Sequence, residues 1–197
     1  MDIFSLAVGP LQSNCYILGS EAALVVDPGG DPEKILYLIR SNNISVSGIL
    51  LTHAHFDHIS AAADIAENTG AKVYIHSLDE AGLRDGFLNL SHMIGCKVNT
   101  VEGDVKLSDG DRVACDNLEL TILHTPGHTP GSICAYWQDG KESYLISGDT
   151  LFEGSYGRTD FPGGNPSHMV NSLRRLDREI PRGTRVLPGH GTTFIKE

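Results

Sequence analysis

Gly48-Ile49-Leu50-Leu51-Thr52-His53-Ala54-His55-Phe56-Asp57-His58 is the stretch that decides how this chain folds. Its first four residues form a short apolar run without alternation, the pattern of a strand buried on both faces. The residues that follow place four potential metal ligands, His53, His55, Asp57 and His58, within six positions. In a locally extended loop alternate side chains point the same way, so His53 and His55 can converge on one ion. Asp57 and His58 stand where a helix begins, because Ile59, Ala62, Ala63 and Ala66 recur at helical spacing. From there they can turn toward a second ion beside the first. A single histidine would read as a surface or core residue; four ligand types at this spacing read as a metal centre. Imidazole and carboxylate together suit zinc, iron or manganese.

Working outward, short apolar runs at Ile3 to Val8, Tyr16 to Leu18 and Ala22 to Val26 predict successive strands. Asp27-Pro28-Gly29-Gly30 interrupts them. A helix is expected next, with Asp31 as N-cap, Pro32 at its first position and Ile35, Leu38 and Ile39 on one face. Further strands are expected at Lys72 to Ile75, Val98 to Val101, Leu118 to Leu123, Ile133 to Trp137, Tyr144 to Ile146 and Thr184 to Leu187. Residues 77–97 read as a loop with a short helix, and residues 153–165 as a Gly-rich loop. Asn165-Pro166 opens a last helix with Met169, Leu173 and Leu176 on one face. The order of elements suggests two packed sheets with helices outside. His128, Asp149 and His190 all fall at junctions between a strand and a loop, where sites on such folds gather.

The 197 residues fit one domain spanning 1–197, long enough to bury a core without staples. The formal net charge of −10 repels phosphate backbones and argues against nucleic acid as a partner. Cys15, Cys96, Cys115 and Cys134 include no C-x-x-C pair and read as free thiols of a reducing compartment. Cys15, in Asn14-Cys15-Tyr16-Ile17-Leu18, reads as a strand residue, not a nucleophile. The N-terminus has neither a basic segment nor a long apolar one, so the expected location is cytoplasmic, with no membrane association.

The string H-x-H-x-D-H, followed by His128, Asp149 and His190, resembles the ligand pattern of the metallo-β-lactamase superfamily across residues 14 to 191. That resemblance implies an α/β fold, the αββα sandwich of two mixed β-sheets with outer helices. It implies two divalent metal ions per chain, zinc first, with iron or manganese as alternatives. His53, His55 and His128 would hold one ion, Asp57, His58 and His190 the other, and Asp149 would bridge them.

Within the superfamily, Asn14-Cys15-Tyr16, Asp27-Pro28-Gly29, Thr125-Pro126-Gly127-His128-Thr129-Pro130-Gly131-Ser132, Gly148-Asp149-Thr150-Leu151-Phe152 and Gly157-Arg158-Thr159-Asp160-Phe161 look like the short glyoxalase II-like hydrolases. The implied activity is hydrolysis of S-acylglutathione-type thioesters, small-molecule substrates, by water activated between the ions, with Asp57 helping to orient it. The C-terminal helical domain that contacts glutathione in full-length glyoxalase II has no counterpart after His190, which implies weaker glutathione specificity. Arg158 is a candidate for a substrate carboxylate, its alternative being a salt bridge to Asp160; Tyr156 is either substrate-facing or packed. Rival readings within the same fold are a mononuclear-iron persulfide dioxygenase and a lactonase.

Overall fold

The computed structural model describes all residues, 1–197. Fourteen strands and five α-helices follow in the order β1 (Ile3–Val8), β2 (Ser13–Leu18), β3 (Ala23–Val26), α1 (Pro32–Ser41), β4 (Val46–Leu50), α2 (Phe56–Ile59), α3 (Ala62–Thr69) and β5 (Lys72–His76). A 3-10 turn at Glu80–Leu83 precedes α4 (Ser91–Ile94), β6 (Val105–Leu107), β7 (Arg112–Cys115), β8 (Leu118–His124), β9 (Ile133–Asp139), β10 (Glu142–Gly148), β11 (Leu151–Phe152) and β12 (Ser155–Tyr156). The chain closes with α5 (Pro166–Glu179), β13 (Arg185–Pro188) and β14 (Phe194–Ile195).

One sheet runs β1-β2-β3-β4-β5-β6, the other β14-β13-β10-β9-β8-β7, and β11 and β12 form a separate ribbon. Both large sheets are mixed. In the first, β3 to β6 pair in parallel while β1, β2 and β3 are antiparallel. In the second, only β10 and β13 are parallel.

Three buried clusters separate four layers. Strand alternation sends Tyr16, Leu18, Leu24, Val26 and Leu50 inward against Ile122, Ile133, Trp137, Ile146 and Leu187 of the facing sheet. Their chain neighbours Cys15, Ile17, Val25 and Ile49 point the other way, onto Ile35, Ile39 and Ile65 of α1 and α3. Behind the second sheet, Leu145, Cys134 and Val186 pack against Leu176 of α5 and Ile180. The result is the αββα sandwich that the resemblance implies. It explains why the central strands read as continuous apolar runs: both of their faces are covered. No helix is long and apolar enough to cross a membrane.

Several local expectations are corrected. Val98 to Val101 is not a strand; Val98 and Val101 lie partly buried on the first core, while β6 pairs with the edge of β5. β7 went unread, although its burial alternates as expected of a half-buried strand. Asp31 occupies the N-cap position of α1, but its side chain makes no capping hydrogen bond. It sits in the left-handed region, φ 49°, and its carboxylate instead accepts from the Gly9 amide at 3.1 Å. The single helix expected after His58 is broken into α2 and α3, and Ile65 carries its buried face with Ala62. Asn165, by contrast, caps α5 through its side chain, which accepts from the His168 amide at 3.1 Å.

Candidate metal centre

All seven candidate ligands meet at one edge of the sandwich, where strands of both sheets end. β4 runs out at Leu50, and the extended loop after it carries His53 and His55 to the head of α2, which holds Asp57 and His58. In the second sheet, the parallel pairing of Gly148 with Pro188 sets the ends of β10 and β13 side by side. Asp149 and His190 follow directly from those ends. His128 comes from the turn between β8 and β9.

Donor atoms within 4.8 Å of one another form three groups: His53 with His55 and His128, Asp57 with His58 and His190, and, linking these two sets, His53 with His58 and Asp149. Asp149 lies between them. One oxygen is 3.5 Å from His128 Nε2 and 3.7 Å from His190 Nε2, and the other is 3.5 Å from His58 Nε2. Asp57 Oδ2 is 3.1 Å from His190 Nε2 and 3.5 Å from His58 Nε2.

Do these residues fit metal ions? Nε2 of His53, His55 and His128 and Oδ1 of Asp149 are buried and have no hydrogen-bond partner. Buried polar atoms are almost always partnered, and an orphan costs about 1–3 kcal/mol. Four orphans in one cluster of imidazoles and carboxylates are the donor set of a divalent cation. The remaining orphan, Trp137 Nε1, is stacked on Tyr144 at the sheet interface and is a separate matter.

Neighbouring groups fix which nitrogen each ring presents. The Thr52 hydroxyl donates to Asp27 Oδ2 at 2.6 Å, so its oxygen is left to accept from His53 Nδ1 at 3.1 Å. His58 Nδ1 donates to the same Asp27 oxygen at 3.0 Å. His128 Nδ1 donates to the Arg158 carbonyl at 2.7 Å. In each case Nε2 is the nitrogen turned to the centre; on His58 it carries a proton that a bound cation would displace. Asp27 also accepts from the Thr52 amide at 2.8 Å, and it holds a left-handed backbone, φ 47°, that few non-glycine residues adopt. Asp27→Ala is expected to weaken metal binding about 10- to 100-fold, the usual cost of losing such an orienting group. Competition against a chromophoric chelator measures it, and unchanged affinity would assign Asp27 to the fold alone.

Charge is arranged to match. Burial, then His58 and His55, holds His53 well below the ordinary imidazole range. Burial and then His128 bring His55 down to about 2. For His58 burial opposes the charge, but Asp149, Asp57 and Asp27 outweigh it and raise the ring to about 10. Burial would raise Asp57, yet His58 and His190 hold it well below the usual carboxylate range. His53 and His55 are thus neutral imidazoles, and the second side gathers anions around the positive charge of His58.

Sequence reasoning missed the residues that hold the loops in place. Asp79 accepts from the Ala54 amide at 3.1 Å, the Thr129 hydroxyl at 2.7 Å and the Gly131 amide at 2.6 Å. It ties the loop of His53 and His55 to the loop of His128. Asn14 and Tyr16 were quoted only as motif letters. Asn14 Nδ2 donates to the carbonyls of Pro188 and Gly191, both at 2.9 Å, and the Tyr16 hydroxyl to Pro188 at 2.7 Å, which clamps the loop of His190. Gly189 belongs to the same device: a Cβ there would fall on Asp149 Oδ1 and the His58 ring. Asp27 directly follows the buried strand β3, which is the signal available for it, whereas Asp79 lies in a turn three residues past β5 and carries none.

A cavity of about 500 Å³ opens onto the ligands and is also lined by Tyr156 and Arg158. Arg158 pairs with Asp160 through Nε and Nη2, at 2.7 and 2.6 Å, and lies 4.0 Å over the Phe161 ring. Tyr156 stands exposed on the ribbon. His168 is exposed at the start of α5, and His76 and His124 stack on each other away from the cluster.

A model of the metallo-beta-lactamase superfamily matches residues 8–190. The chain is 39% identical over 188 residues to the probable metallo-hydrolase YqgX of Bacillus subtilis, across 94% of this chain and 88% of that protein. It is 30% identical over 203 residues to the hydroxyacylglutathione hydrolase GloC of Haemophilus influenzae, across 98% and 92%. Among solved structures, BLEG-1 B3 metallo-beta-lactamase superposes with a TM-score of 0.92 at 35% identity, over 98% of this chain and 94% of that one. TTHA1623 in a di-iron-bound form gives 0.84 at 38%, over 98% and 94%. ETHE1 from Myxococcus xanthus gives 0.78 at 28%, over 99% and 80%. Family model, relatives and fold agree, and the chain belongs to the metallo-beta-lactamase superfamily.

Proposed function

We propose that the chain is a dinuclear metal-dependent hydrolase that cleaves S-acylglutathione-type thioesters. The observation that carries this reading is the position of Asp149, whose two oxygens reach toward both sets of three donors. A relative named a hydroxyacylglutathione hydrolase, another named a probable metallo-hydrolase, and a neighbour solved with two irons all support it.

Two divalent cations, when bound, bring the ionisation of water into the neutral range and polarise a carbonyl oxygen. The chain's own residues do the rest. Asp149 offers one anion to both donor sets and screens the repulsion between them. Asp57 is a buried carboxylate at the cavity floor, placed to accept a hydrogen bond from water and orient it. A thiolate leaves without protonation, so the absence of an acid other than the Tyr156 hydroxyl along the wall is no obstacle. A cysteine nucleophile is not needed: Cys15, Cys115 and Cys134 are buried, and burial pushes the thiols of Cys115 and Cys134 up to about 11.

The test runs S-lactoylglutathione and glutathione persulfide side by side on zinc-loaded and iron-loaded protein, with an oxygen electrode. Thioester cleavage without oxygen uptake is expected. Oxygen uptake with the persulfide on the iron form, and no thioester cleavage on either, would replace the hydrolase with the dioxygenase. The likeness to a protein named a B3 metallo-beta-lactamase favours a second reading, hydrolysis of a β-lactam amide by the same residues. A chromogenic cephalosporin in the same assay tests it.

Arg158 is exposed and already paired with Asp160, and exposed ion pairs contribute little. Arg158→Ala is therefore expected to change kcat/KM for S-lactoylglutathione by less than about fivefold. A rise in KM of tenfold or more at unchanged kcat would restore it as a substrate anchor.

A further inference from the structure

Beyond the ligands, the cavity wall is apolar. Leu11 from the turn between β1 and β2, Leu90 and α4's Met93 and Ile94, Phe152 of the ribbon and Phe161 surround its mouth. Leu11, Met93 and Ile94 are 54%, 63% and 54% exposed. Single exposed apolar residues are ordinary, but three from separate elements converging on one metal-lined cavity make a contiguous patch of the kind that a ligand covers. The lone cation on this wall is Arg158, whose Nε and Nη2 edge is held by Asp160 while its flat face rests on Phe161. The wall's one cation is therefore already neutralised by a carboxylate, on a chain whose net charge is −10, which leaves little attraction for a distal carboxylate.

From this we infer that the substrate is a thioester with an apolar, uncharged arm seated against Leu11, Met93 and Ile94, and that the two carboxylates of glutathione add nothing to its recognition. The inference rests on the thioesterase reading for the reaction, but its own content is the chemistry of the wall. A binding experiment keeps the two apart. Uncleavable S-alkyl thioethers of glutathione and of the neutral thiol N-acetylcysteamine, from S-methyl to S-hexyl, are titrated into metal-loaded protein by calorimetry.

The expected result is a Kd that falls about two- to fourfold for each added methylene, with the two thiols within about threefold of each other at equal chain length. Met93→Ser combined with Ile94→Ser should flatten the chain-length dependence. Leu11→Ser, on a different element, should do so in part, which guards against a folding defect in α4. A Kd independent of chain length, or glutathione thioethers binding tenfold or more tightly than their neutral counterparts, would overturn the inference. Thioester turnover with flat binding would sink the inference and leave the hydrolase; chain-length-dependent binding without turnover would do the reverse.

Discussion

Asp149→Ala is expected to abolish tight binding at both metal positions and to lower thioester turnover by at least about 10²- to 10³-fold, the scale of losing one preorganised charge at a reacting centre. Both losses should follow from one side chain, because one oxygen approaches His58 of the second set and the other lies between His128 of the first set and His190 of the second. The metal-free protein gives a control. Asp149 Oδ1 has no hydrogen-bond partner within the chain, and its main electrostatic partner, His58, keeps Asp57 and Asp27 beside it when Asp149 is removed. The variant should melt within a few degrees of the parent when both are metal-free, and should lose the rise in Tm that added zinc gives the parent through linkage. A variant that still rises with zinc as the parent does would place the metals elsewhere.

Asp79→Ala is expected to act through the fold and the first metal together. Three donors, the Ala54 and Gly131 amides and the Thr129 hydroxyl, would lose a buried charged acceptor at once. Hydrogen bonds to charged groups contribute about 1.5–3 kcal/mol each, and stranded buried donors cost more, so a loss of about 3 kcal/mol or more is expected. For a chain of this size that lowers Tm by about 6–12 °C. Because the three donors belong to the loops that carry His53, His55 and His128, zinc affinity of that set should fall as well, about 10- to 100-fold. Asp79→Asn keeps one acceptor and should recover part of both losses. A variant with unchanged melting and unchanged zinc affinity would show that the two loops hold their geometry without this tie.

The part of this architecture that could be read from sequence follows a physical division. His53, His55, Asp57 and His58 are legible because four donors are crowded into one short segment, a pattern that packing does not demand. His128, Asp149 and His190 are legible only once that segment calls for further ligands and the resemblance supplies their places. The strands between Tyr16 and Leu50 are legible because both faces are buried, which leaves a plain apolar run. The edge elements are harder. β7 is only four residues, Arg112-Val113-Ala114-Cys115, too short to show its alternation in sequence, and Val98 and Val101 imitate a strand because they pack on the core without joining a sheet. Asp27, Asp79, Asn14 and Tyr16 are invisible as a group, since what unites them is hydrogen bonding across as many as 177 positions of sequence separation. Arg158 illustrates the same limit: its neighbour Asp160 is visible in sequence, but only the folded loop decides that the two pair.

The central claim is that these seven side chains form one centre for two ions joined by Asp149. The measurement that bears on it most directly is the zinc-to-protein ratio of the purified, metal-saturated chain after exhaustive dialysis, by elemental analysis. The account predicts two zinc ions per chain for the parent protein. A ratio of one, unchanged when His190 is replaced by alanine, would contradict it.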